Sequence, residues 1–175
     1  MVRFQRQPPG TAITRSVLVV GAWATAVAAW LVVSSRPREG GLVAAFAALL
    51  LLVGGHRANH GAGGPVDRML TELLDRAWDG GVLGAIVWEN GAAGSPSVAA
   101  IVALSASYLS SYVRARGAAL GYSVEESHVT RGLRYALISI ALVSGGPWLI
   151  MVAATLSVLT ALVRITQVAR EERTA

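Results

Sequence analysis

Apolar residues fall into six blocks separated by short polar breaks: roughly Ser16–Val33, Gly41–Gly55, Met69–Trp88, Ser97–Val113, Leu133–Ser144 with its flanks, and Trp148–Val168. A helix that crosses the hydrocarbon core of a bilayer needs about 20 largely apolar residues. The blocks approach that length, the second and fifth being short. The pattern therefore predicts an all-α integral membrane protein, a bundle of six transmembrane helices. The first block is long for the apolar core of a signal peptide and reads as a first span. Between the second and third spans, "GGHRANHGAGGP" (54–65) predicts a flexible connector, because clustered glycines disfavour regular structure. Residues 1–175 are expected to form a single transmembrane domain, with 1–15 as a cytoplasmic N-terminal segment, 16–169 as the six-span bundle and 170–175 as a tail.

Composition agrees with that class: 54% of residues are hydrophobic and 14% charged, and the mean hydropathy is +0.54. Long uncharged runs of this kind mark integral membrane proteins. Cysteine is absent, which excludes disulfides, thiolate metal sites and a cysteine nucleophile. All 15 basic residues are arginine. They concentrate in the termini and near Arg57, Arg68, Arg114, Arg116, Arg131 and Arg134, whereas "ENGAAGSPS" and "SGGP" contain none. Positive charge marks the cytoplasmic side. Both termini are therefore expected in the cytoplasm and the protein in the plasma membrane, with Arg36 and Arg38 as the exception to the rule.

The densest charge lies in the third block, in "TELLDRAWDGG" (71–81). At helical spacing Asp67, Thr71, Asp75 and Asp79 follow one another at i+4 as a ridge, with Glu72 beside it. Acids at membrane depth are costly unless paired, hydrated or bound to a cation, so they point to function. The alternative is an interfacial helix whose acids are solvated or paired with Arg76 and Arg68. Arg164 raises a similar question, since it sits inside the apolar run "TALVRITQVA" and needs a buried partner, a cavity or a ligand. Singly, the other arginines fit side chains that snorkel to anionic lipid headgroups. Trp23, Trp30, Trp88 and Trp148 read as packing residues or interfacial anchors. His56 and His60 stand four apart, which would place two imidazoles on one face of a helix, with Asp67 or Glu72 as added metal ligands. Two solvated loop histidines are the alternative. His128 is expected to be exposed.

Three segments carry a family resemblance: "LLDRAWDGGVLGAIVW", "SYVRARGAALGYS" and "TRGLRYAL". Together they resemble the CDP-alcohol phosphatidyltransferase family, and within it the bacterial phosphatidylinositol phosphate synthases. The likeness runs from about Arg57 to Arg170. It implies a six-span fold and a role in phospholipid biosynthesis, moving a phosphatidyl group from CDP-diacylglycerol to a phosphorylated alcohol such as inositol phosphate. It also implies Asp75 as catalytic base, and Asp75 and Asp79 as ligands of Mg²⁺ or Mn²⁺. Arg57, Arg114, Arg116, Arg131, Arg134 and Arg164 are implied to bind substrate phosphates. A homodimer, or a heterodimer with an active family member, is the implied assembly.

The chain departs from that family's signature, which runs D-x-x-D-G-x-x-A-R and then, about eight residues later, G-x-x-x-D-x-x-x-D-R. Thr71 stands where the third aspartate belongs and Asp67 where the motif glycine belongs. The first two aspartates fall within "LLLLVGG" (49–55), which has no acid. Three of four metal-binding carboxylates are missing, so impaired or lost catalysis is expected. The alternatives are a non-catalytic partner, regulator or anionic headgroup-binding protein on the same scaffold, or an unrelated membrane protein in which Arg164 pairs directly with Asp75.

Overall fold

The computed structural model describes residues 10–60, 63–91, 94–122 and 128–174, the side chains of 128 and 172–174 excepted. Those residues form six helices: α1 (Thr11–Val33), α2 (Pro37–Asn59), α3 (Pro65–Asn90), α4 (Ser95–Ala119), α5 (His128–Ser144) and α6 (Trp148–Thr174). Four of them, α1, α2, α4 and α6, are long and apolar enough to cross a membrane, which by length and composition suggests a membrane protein. The other two fall short of that measure. α3 carries the charged ridge, and α5 has 17 residues and two arginines near its start.

Local chemistry sets the boundaries. Proline opens α2 and α3 and lies in the first turn of α4, where its missing N–H costs no helical hydrogen bond and its fixed φ suits the helix. Asp67 caps α3 by accepting the Gly64 N–H on Oδ2 at 2.7 Å. Gly91, at φ 69°, follows the last residue of α3, and a left-handed residue there costs little only when it lacks a Cβ.

The helices pack as a closed ring in the order α1, α2, α5, α6, α4, α3 and back to α1, with α2 also touching α3. Small residues allow close approach. A Cβ added at Gly55 would sit 2.8 Å from Thr71 Cγ2, and one at Gly41 2.8 Å from Leu142 Cβ. Such small-residue contacts substitute for the hydrophobic effect where the surroundings are themselves apolar. α3 and α5 stand on opposite sides of the ring, and their backbones do not meet. Large side chains fill the gap. Trp78, Tyr135, Leu83, Ile86 and Ile138 are fully buried there, the Trp78 and Tyr135 rings lie 4.2 Å apart, and Trp78 Nε1 donates to the Ala44 carbonyl at 3.1 Å. Trp23, Trp30, Trp88 and Trp148 are exposed on the outside of the ring.

One expectation is overturned. Residues 54–59 are the last turns of α2 and not a connector; only 60–64 separate α2 from α3. The glycines that suggest a break are needed in the helix, since α2 lies too close to α1 and α3 to carry side chains at Gly54 and Gly55.

Candidate functional site

The ridge on α3 faces the ring interior. Asp67, Thr71, Asp75 and Asp79 are all buried, as i+4 spacing on an inward-facing stripe requires. Glu72, one residue off the ridge, is about half exposed. The acids are therefore not solvated at an interface, and each has a basic partner from another element.

Asp75 Oδ1 accepts the Tyr135 hydroxyl at 2.8 Å, while its Oδ2 forms an ion pair with Arg131 Nη1 that lacks the alignment of a hydrogen bond. Asp79 Oδ2 accepts Arg134 Nη2 at 2.9 Å and the Ser107 hydroxyl at 2.5 Å, with Arg76 Nη1 at 3.0 Å. Arg76 Nη1 also contacts Ser107 Oγ. Arg131, Arg134 and Tyr135 occupy one face of α5 at i, i+3 and i+4, so a single stripe of α5 answers a single stripe of α3. At the other end of the ridge Arg15 Nε donates to Asp67 Oδ1 at 2.7 Å. Burial works against ionisation of Asp67, which lies two residues before the predicted third span, but Arg15 and the Gly64 N–H outweigh it and hold the carboxyl below its usual range.

The guanidiniums converge on one place. Arg76, Arg114, Arg131, Arg134 and Arg164, from four helices, line a small polar pocket with Ser107, Ser110, Ser111, Thr130 and Thr160. Its free space of about 20 Å³ suits a single water. It shares Arg76, Ser111, Arg114 and Arg131 with a larger outer cavity of about 400 Å³. The outer cavity has a mixed lining: Met69, Leu73, Tyr108 and Tyr112 together with Glu72, Asp75 and the shared arginines. Among the described residues, five guanidiniums and the three carboxylates of Glu72, Asp75 and Asp79 share this centre.

The sequence-derived candidates divide. Asp75, Asp79, Arg114, Arg131, Arg134 and Arg164 come together at this centre. Arg116 is exposed in the last turn of α4, and Arg57 lies in the last turn of α2; neither lines the two cavities. Arg164 does not pair with Asp75. Its Nη1 donates to the Ser110 carbonyl at 3.2 Å. Four participants were not singled out from sequence: Ser107, Tyr135, Arg15 and, as part of the cluster, Arg76. Position i+4 from Arg131 was the available signal for Tyr135.

A divalent cation is a poor fit. Mg²⁺ and Mn²⁺ are hard ions that take oxygen ligands, Mg²⁺ six of them in an octahedron. Among the described residues no three His, Asp or Glu side chains gather. Both aspartates at the centre already face guanidiniums, so an added cation meets positive charge, and among the described residues Asp79 Oδ1 is a buried carboxylate oxygen without a hydrogen bond. His56 and His60 stack on each other at 4.1 Å, and His60 Nδ1 is 2.9 Å from the His56 carbonyl oxygen; the side chain of His128 lies outside the described residues. No protein-family model and no curated protein matches the chain.

Proposed function

We propose that the chain is a six-span membrane protein, with both termini cytoplasmic, that holds a phosphate-bearing anionic group in its arginine centre and has lost metal-dependent phosphatidyl transfer. The observation that carries this reading is the convergence of five arginines from four helices on one centre. Guanidinium forks grip the oxygens of a phosphate in pairs. Arg114 and Arg131 line the outer cavity, which is large enough for a headgroup, whereas Arg134 and Arg164 contribute field from behind. The resemblance to CDP-alcohol phosphatidyltransferases supports the architecture and names the ligand class, a phosphorylated alcohol or an anionic phospholipid. The apolar helices and the distribution of arginine support the proposed localisation, the plasma membrane.

The loss of transfer follows from the same cluster. In the resembling family carboxylates hold the cation that neutralises the leaving diphosphate. Here Asp75 is engaged by Arg131 and Tyr135 and cannot serve as a free base in that state. Electrostatic preorganisation is usually the largest catalytic contribution, and this donor set preorganises for binding an anion.

Purified protein is tested in lipid nanodiscs. No Mg²⁺- or Mn²⁺-dependent transfer from CDP-diacylglycerol to inositol phosphate is expected, while inositol phosphate binds and Arg131→Gln weakens that binding. Transfer that is abolished by Asp75→Asn overturns the proposal, as does inositol phosphate binding that is the same in wild type and Arg131→Gln.

A further inference from the structure

A second feature lies on the opposite side of α3. α1 and α3 enclose an apolar trough of about 360 Å³, lined by Leu18, Val19, Ala22, Trp23, Leu70 and Leu74, with Arg15 as its only charged residue. Arg15 and Trp23 are eight residues apart on α1, so the trough runs about 12 Å along that helix. Arg15 is not a loose surface arginine. Its Nε is fixed at 2.7 Å on Asp67 Oδ1, and Asp67 is itself fully buried and fixed by the Gly64 N–H at 2.7 Å. That anchor uses Nε and leaves the two Nη groups on a side chain that is 40% exposed.

We infer that this trough is a binding site for an anionic phospholipid, with the phosphate on the Nη fork of Arg15 and an acyl chain lying along Leu18, Ala22 and Leu70 towards Trp23. An apolar channel that ends at an oriented guanidinium matches the two halves of such a lipid. Asp67 offsets part of the charge of Arg15, but its two oxygens are taken by Arg15 Nε and the α3 cap, so the Nη fork keeps its donors for a phosphate. The orientation that it imposes lowers the entropy cost of gripping a phosphate. Trp23, 71% exposed at the far end, reports on the chain. The site is separate from the arginine centre, with which it shares no lining residue.

The test uses the full chain with Trp30, Trp88 and Trp148 changed to Phe, so that Trp23 is the accessible fluorophore beside the buried Trp78. It is placed in phosphatidylcholine nanodiscs and titrated with phosphatidylglycerol brominated on its acyl chains. Quenching is expected at a lower mole fraction of brominated phosphatidylglycerol than of brominated phosphatidylcholine. Arg15→Gln should raise the half-quenching fraction roughly fivefold, as for one basic contact near a membrane surface. Arg15→Lys should keep part of the preference, and Ala22→Phe, which fills the trough and leaves Arg15 in place, should abolish it. Millimolar inorganic phosphate should not displace the lipid, since the chain supplies half the site. Equal quenching by both lipids, displacement by free phosphate, or an unchanged preference in Ala22→Phe overturns the inference. Arg131→Gln should leave the quenching curve where it is, and a shift there overturns the claim of a separate site.

Discussion

Glu72 on α3 holds Arg114 on α4, Oε1 to Nη2 at 3.0 Å, with the glutamate 53% exposed and the arginine 20%. Both side chains line the outer cavity. A phosphate that settles there meets a guanidinium already engaged by a carboxylate and a negative charge on the same wall. The pair is exposed enough that its own worth to folding is small, on the order of 1 kcal/mol or less. Its effect on a ligand is the larger matter, because like charges across a binding surface suppress association.

Glu72→Gln is therefore expected to bind inositol phosphate about three- to tenfold more tightly than wild type, and Arg114→Gln more weakly. Two unit charges a few ångströms apart near a protein surface interact by a few kcal/mol at most, and solvent at Glu72 reduces that. Calorimetric titration of both variants in the same detergent checks the pair. An affinity that does not rise in Glu72→Gln would show that the glutamate stands aside when the site fills.

Asp79→Asn should be among the most destabilising single changes in the bundle. Arg134 and Arg76 both lean on Oδ2 of a fully buried carboxylate, and Ser107 donates to the same oxygen. Breaking a buried pair by removing one partner costs about 3–5 kcal/mol, since it leaves an uncompensated charge. Adding Arg134→Gln to Asp79→Asn should recover part of the loss, read as a thermal midpoint in detergent. Additive losses in the double variant would mean that the two side chains are not coupled.

How far this arrangement was legible in the sequence depended on the range of the interaction. The apolar blocks located all six helices, because a burial pattern is local. The α3 ridge was legible for the same reason, as i+4 spacing fixes a shared face. What sequence could not show was which arginine answers which acid. Asp75 and Arg131, Asp79 and Arg134, and Arg15 and Asp67 are joined across about fifty residues of chain or more, through a ring closure that no local pattern encodes. The glycines of 54–55 misled, because a residue that breaks an isolated helix is the one that close helix packing demands.

Divalent cations should leave stability unchanged. A ligand that binds the native state at a hundred times its dissociation constant raises stability by about 2.7 kcal/mol, which a thermal melt resolves. With Asp75 and Asp79 turned to guanidiniums, the melts in Mn²⁺ and in EDTA are expected to coincide. A Mn²⁺-dependent rise in the wild-type midpoint would contradict the reading of the aspartates as arginine partners.

Gly41→Ala and Gly84→Ala should move stability in opposite directions, although both exchange glycine for the better helix former. Alanine gains up to about 1 kcal/mol in a helix interior. At Gly84 nothing lies within 4 Å of the added Cβ, so that gain is kept. At Gly41 the Cβ lands 2.8 Å from Leu142 Cβ and 2.9 Å from the Ser139 carbonyl oxygen, neither of which is the far end of a flexible side chain. α2 and α5 must then part, at a cost of about 1–3 kcal/mol for overpacking, which exceeds the propensity gain. A lower midpoint in Gly41→Ala beside an equal or higher one in Gly84→Ala is the expected result. If both variants rose, the contact between α2 and α5 would be looser than the ring requires, and α5 would not be held firmly enough to present Arg131 and Arg134 to the aspartates of α3.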